Sequence, residues 1–213
     1  MNPRLEPGER RGTTRFPWAL PLALTIALAP VARLGALDVA LSQEDIERAL
    51  AIARGSEAER ARFHSHYLFS VNDATVTQLE VITEFRRFVI TAEDRLRHGD
   101  WMFAQGTHAA ERALAPRRGQ ITIVARLRFN PLNTYISVPA FEISLGVPPL
   151  DTRTTPQYAP PIPGRKNTAT SLVGALLEVD FAAAALGEMA RPVSVLLDGK
   201  ELARVAIDFA QIE

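Results

Sequence analysis

The chain has no cysteine among its 213 residues. Disulfides, thiol nucleophiles, iron–sulfur clusters and cysteine-bound zinc are therefore excluded, and only histidine and carboxylate metal ligands remain open. Lysine is nearly absent as well. Lys166 and Lys200 are the only two, and arginine supplies the rest of the 24 basic side chains. Neither sign of charge is in excess, because 24 acidic residues balance the basic ones. Binding to nucleic acid through counterion release needs a large basic footprint, so no nucleic-acid partner is expected. The arginine preference, beside abundant alanine, reads as compositional bias rather than as a phosphate-recognition device. Motifs with a built-in mechanism are missing too: there is no G-x-S-x-G elbow, no H-E-x-x-H, no phosphate-binding glycine loop and no dinucleotide fingerprint. No internal repeat or sustained heptad occurs.

What is present begins with the N-terminus. Arg4, Arg10, Arg11 and Arg15 precede an uncharged run at residues 19–29, followed by small residues up to Ala36. This order resembles a secretory signal peptide. As a helix the run would span about 16 Å, roughly half of a bilayer's hydrocarbon core, so it suits export with removal better than anchoring. The expectation is a leader at residues 1–36, cleaved after Ala36, with no stable membrane span afterwards. Arg10-Arg11 match a twin-arginine signal poorly, and no cysteine follows for a lipid anchor. Removal takes five arginines (4, 10, 11, 15, 33) and two glutamates (6, 9) from a balanced chain, leaving it acidic by three charges. The predicted location is extracytoplasmic, periplasmic or secreted.

Hydrophobic residues make up 47% of the chain, enough for an ordinary core. Ser42 with Glu44 and Asp45 opens a predicted helix over residues 43–54, and the Ser56/Glu59 capping box opens a short second one ending near Phe63. Residues 64–71 (HSHYLFSV) then read as a strand. A second strand is predicted from Gln78 to Ile90, with a bulge at Arg86-Arg87 where the apolar parity flips. Two helices, at residues 92–104 and 108–115, would interrupt the strands. Residues 120–129 are the clearest strand, with Ile121, Ile123, Ala125, Leu127 and Phe129 on one side. It is expected to form a hairpin with residues 134–145, which Pro139 breaks or places at an edge.

Six prolines between 147 and 164 predict a long extended loop, in preference to an interdomain linker that would leave about fifty residues for a second core. Residues 171–181 read as another strand, and 193–197 with 202–209 as a terminal hairpin around Asp198-Gly199. Apolar matching places Val195 opposite Ala203 and Val193 opposite Val205, as a three-residue loop would require. These elements predict a mainly β fold at residues 37–213. The expected form is one β-sandwich domain of about seven strands, immunoglobulin-like in size, with an N-terminal helical segment and two inserted helices.

Three groups of side chains could carry chemistry. On a strand, His64 and His66 would project from one face as a metal pair, with His98, His108, Asp100 or Glu111 as a third ligand. His98, Asp100 and Trp101, with the adjacent carboxylates Glu93 and Asp94, offer acid-base groups and a stacking surface. Arg126 and Arg128, joined by Arg86 or Arg87, could form a cationic patch. Each has a plainer reading, as structural histidines, a solvated helix end and a solvated sheet face, so no catalytic residue, ligand-binding residue, metal ligand or cofactor is assigned. The functional expectation is an exported, non-enzymatic binding or structural module whose partner is an envelope protein or glycan. The alternatives are a cell-envelope hydrolase acting near His98 and Asp100, or a metal-binding protein using His64 and His66.

Overall fold

A computed structural model describes residues 41–100, 103, 112, 114–130, 132–133, 137–152, 157–158, 162–163, 172–187 and 189–212. The expected leader at 1–36 lies outside them, as do most of the predicted 108–115 helix, Trp101, His108 and Glu111.

Two helices open the described chain, α1 (Gln43–Arg54) and α2 (Glu57–Ser65). Both begin with the reciprocal capping box that Ser42/Asp45 and Ser56/Glu59 make possible. The following strands are β1 (Leu68–Ser70) and β2 (Val76–Ile82). A third helix, α3 (Glu84–Arg97), then lies against α1 through Ile46, Ala49, Leu50 and Ala53 on one side and Phe85, Phe88, Val89 and Ala92 on the other.

This helix corrects the long strand predicted up to Ile90 and its bulge. The Thr83 side chain accepts a hydrogen bond from the Arg86 N–H at 3.2 Å, stopping the strand and starting the helix. The flip in apolar parity is therefore the change from a two-residue to a 3.6-residue period. The helix predicted to start at Ala92 is the second half of α3. It ends at Arg97, where Gly99 takes a φ of +78°.

The remaining strands are β3 (Gln120–Arg128), β4 (Phe141–Leu145), the two-residue β5 (Gln157–Tyr158) and β6 (Ile162–Pro163), β7 (Leu172–Ala182), β8 (Ala190–Leu197) and β9 (Lys200–Asp208). They form two antiparallel sheets. One runs β1-β2-β3-β7-β5, with β6 also on β7, and the other runs β4-β8-β9. The proline-rich segment thus contributes two short edge pieces to β7. The predicted pairing of β3 with β4 is corrected: β3 lies between β2 and β7, and β4 pairs with β8 in the other sheet. Pro139 precedes β4, and the chain between β3 and β4 changes sheet instead of turning back.

The result is a mixed fold, richer in strand than in helix. A single apolar cluster draws Leu79, Val81, Ile121, Ile123, Leu177 and Phe181 from the first sheet and Ile143, Leu145, Val193, Val195 and Ile207 from the second. The face of β3 read as inward is buried at Ile121, Ile123, Ala125 and Leu127, but Thr122 and Val124 on the other face are buried too, so exposure alternates only from Arg126 onward.

The terminal hairpin carries the expected pairs, Val193 with Val205 and Val195 with Ala203, on a two-residue turn. Asp198 and Gly199 both have positive φ, 52° and 73°, as a type I′ turn requires. A bulge between Val195 and Leu196, with Leu202 as the extra residue, reconciles the tight turn with the apolar register.

At Gly174 in β7, a Cβ would stand 2.5 Å from the Leu127 carbonyl oxygen of β3. Gly174→Ala is therefore expected to destabilise the protein by about 1–3 kcal/mol, through backbone displacement in a packed sheet. Urea unfolding measures it, and an unchanged midpoint would mean that β3 and β7 separate locally without cost.

Candidate functional site

The polar chemistry of the described residues gathers around the first turn of α3. Successive helical residues point about 100° apart, so Arg86 and Arg87 leave the helix in different directions. The Arg86 guanidinium is 3% exposed and donates from Nη1 to the Val81 carbonyl at 2.5 Å and from Nη2 to Glu80 Oε1 at 2.5 Å. Its Cζ lies 4.8 Å from the centre of the Tyr67 ring, within cation–π range. Burial pulls the Arg86 pKa below the ordinary arginine value, while the Glu80 charge opposes that shift.

Arg86 Nε also reaches His64 Nδ1 at 3.4 Å, and His64 Nε2 lies 2.9 Å from Glu93 Oε1. Arg86 has no acceptor atom, so His64 Nδ1 must accept and Nε2 must carry the proton that it donates to Glu93. Arg60 Nε stands 3.9 Å from the same carboxylate oxygen. The structure thus joins Glu93, expected among acid-base groups, to His64, expected as a metal ligand. Both imidazole nitrogens are engaged in this arrangement.

Arg87 turns toward the outer face of the first sheet. Nη2 donates to Thr122 Oγ1 at 2.6 Å and Nη1 to the Arg117 carbonyl at 3.1 Å. The Thr122 hydroxyl donates in turn to Asp180, its register partner across β3 and β7. Arg117 Nε is 3.9 Å from the other Asp180 oxygen, and Glu84 Oε2 accepts the Gly119 N–H at 3.1 Å. Burial, reinforced by the charge of Arg117, lowers the Arg87 pKa. Thr122 is fully buried, so its hydroxyl ties elements together rather than meeting a solute.

The far end of α3 is different. An open depression of about 570 Å³ is lined by Ile90, Thr91, Asp94, Arg95, His98 and Asp100. His98 is 71% exposed, with Nδ1 at 2.8 Å from the Asp94 carbonyl oxygen and 3.4 Å from Asp94 Oδ1. Asp100 Oδ1 accepts the Phe103 N–H at 3.2 Å, and Oδ2 stands 3.6 Å from Arg95 Nη1. The depression brings His98, Asp94 and Asp100 together, while Glu93 points to His64 on another face of the helix.

Two further expectations are corrected. His64 lies in the last turn of α2 and His66 at its C-cap, so the pair does not sit on a strand with both rings on one face. The helix continues through Ser65, whose hydroxyl donates to the Arg62 carbonyl at 2.7 Å, and closes where the His66 N–H meets the Phe63 carbonyl at 3.3 Å. Among the described residues no group of three or more histidines and carboxylates could hold a metal ion. The proposed patch does not include Arg86 or Arg87, whose guanidinium groups bond inward from α3, whereas Arg126 and Arg128 are exposed on β3.

Sequence reasoning missed Glu80, Thr122, Asp180 and Arg117 as partners of the two arginines. The spacing of Phe85, Phe88, Val89 and Ala92 was the available signal, because it fixes α3 and hence where Arg86 and Arg87 point.

Fold and site together define a mixed α/β protein with two antiparallel sheets over a shared core, its helical layer tied down by buried arginines. Among the described residues no helix is long and apolar enough to cross a membrane. No protein-family model, curated protein or solved structure matches the chain.

Proposed function

We propose that the chain is an exported, non-enzymatic binding or structural module, built as an immunoglobulin-sized β-sandwich with helices packed beside it. The observation that carries this reading is the use of its most buried charged side chains. Arg86, Asp180 and Glu84, together with the half-buried Arg87, His64 and Glu93, hold elements to one another through hydrogen bonds. A scaffold fixed in this way presents its outer surfaces for recognition. The leader-like residues 1–36 supply the route out of the cytoplasm, and an envelope protein or glycan is the partner.

The test is fractionation of the native cells with N-terminal mass spectrometry. The expected product lies outside the cytoplasm and begins at Leu37, and crosslinking in the envelope returns a specific protein or glycan. A full-length chain confined to the cytoplasm would overturn the reading.

The depression at the end of α3 favours a second reading, a cell-envelope hydrolase using His98 and Asp100 with Asp94 beside them. The binding reading expects His98→Ala/Asp100→Asn to leave partner capture unchanged. Turnover of cell-wall polysaccharide that disappears in this double variant would put the hydrolase first.

A further inference from the structure

We propose that the last five residues of β9, Arg204 to Asp208, form an antiparallel contact with the same residues of a second copy of this chain. The inference depends on neither export nor a ligand, so it goes beyond the binding reading.

The direction of the β9 backbone follows from its neighbour. The Pro192 carbonyl accepts the Gly146 N–H at 2.8 Å, so the backbone polar groups of Pro192 face the β4 side of β8. Backbone groups alternate sides along a strand, so those of Val193 and Val195 face β9. Their register partners Val205 and Ala203 face back toward β8. The N–H and C=O groups of Arg204, Ala206 and Asp208 therefore point away from β8, at the terminal strand of a three-stranded sheet.

The segment Arg-Val-Ala-Ile-Asp is its own complement when paired antiparallel about Ala206. Arg204 falls opposite Asp208 of the second copy, Val205 opposite Ile207, and Ala206 opposite Ala206. Residues 204, 206 and 208 form hydrogen-bonded pairs across the two-fold axis, with both Arg–Asp pairs on the outer face. Val205 and Ile207 share the inner face, where Ile207 is buried but Val205 is only partly covered. A second copy completes that cover. Arg204 keeps its bonds to Glu201 Oε2, at 2.9 and 2.7 Å, and Asp208 accepts the Ala210 N–H at 3.1 Å and Gln211 Nε2 at 2.7 Å. The Arg204 side chain is 57% exposed and a carboxylate has lone pairs beyond those two bonds, so the two can also meet across the axis.

The start of β9 carries edge-blocking features, a bulge together with Lys200 and Glu201, whereas pairing from Val193–Val205 to Ala190–Asp208 is regular. A single strand pair buries less than a standard stable interface, so the dimer is weak and its population rises with concentration.

Sedimentation equilibrium of the full chain over a wide concentration range tests this, with circular dichroism to confirm folding. The unaltered chain is expected to approach a dimer. Arg204→Asp alone, or Asp208→Arg alone, sets like charges opposite one another twice and is expected to raise the dimer Kd roughly tenfold or more. An equimolar mixture of these two variants restores opposite charges at both pairs and is expected to regain dimer as a heterodimer. Because the chain has no cysteine, Ala206→Cys offers a second readout: the facing Cα atoms, about 5.5 Å apart, permit a disulfide at the two-fold axis. The proposal is overturned if the unaltered chain stays monomeric and Ala206→Cys gives no crosslinked dimer. It also fails if a dimer forms whose Kd neither charge reversal changes, or if the mixture associates no better than either variant alone.

Discussion

Phe181→Ala is expected to destabilise the protein by about 3–5 kcal/mol, the range for truncating a fully buried aromatic residue. Phe181 is completely buried near the end of β7 and pairs in register with Ile121 of β3. Thr152 bridges to it from the other side. Its cluster also contains Ile143, Leu145, Val193 and Ile207 from the second sheet. The cavity left by the ring therefore opens in a core that serves both sheets.

Urea unfolding followed by circular dichroism should show a lower midpoint with an unchanged slope. Amide exchange should accelerate in β8 as well as in β3 and β7, because elements sharing a core open together. Loss of protection in the first sheet alone would mean that the two sheets are stabilised separately. A cost below about 1 kcal/mol would carry the same message.

That experiment also probes the part of the fold most legible in the sequence. The alternation from Ile121 to Leu127 predicted β3, and the capping serines predicted α1 and α2, because each signal is local and each pattern has one period. The hairpin was legible in register but not in loop length. Val193, Val195, Ala203 and Val205 specify which faces match, while Asp-Gly specifies the turn, and Leu202 absorbs the difference as a bulge. No local rule predicts that two correct signals will be joined by an extra residue.

The partner of β4 was not legible, because Phe141, Ile143 and Leu145 suit either sheet and only the path of the preceding chain decides. The candidate site suffered from one displaced boundary. Reading residues 83–90 as strand, bulged at Arg86-Arg87, offered Arg86 or Arg87 to the polar sheet face that carries Arg126 and Arg128, where a cationic patch is a natural inference. With Thr83 as a cap, the same residues enter two buried networks. Likewise, once α2 extends through Ser65, His64 meets Arg86 and Glu93 instead of standing beside His66.

The weight of the arginine ties can be measured at Arg86. Removing one partner of a buried ion pair typically costs about 3–5 kcal/mol. Glu80 is 22% exposed, so water can solvate it in part when the guanidinium is gone. The expected cost of Arg86→Ala is therefore lower, about 2–4 kcal/mol. Arg86→Met should recover some of this loss by keeping apolar contact with Tyr67, but it still leaves the Val81 carbonyl without its donor.

A double-mutant cycle with Glu80→Gln separates the terms, and a coupling of about 1–3 kcal/mol is expected for a pair with such short contact. His64 provides the internal control. Its Nδ1 loses the Arg86 donor in the alanine variant, so the imidazole resonances should shift in NMR spectra even where Glu93 stays in place. If Arg86→Ala leaves both stability and the His64 resonances unaltered, α3 is held to the sheet by other contacts. The scaffold reading would then lose the observation that carries it, because the most buried cation of the described residues would fix nothing in place.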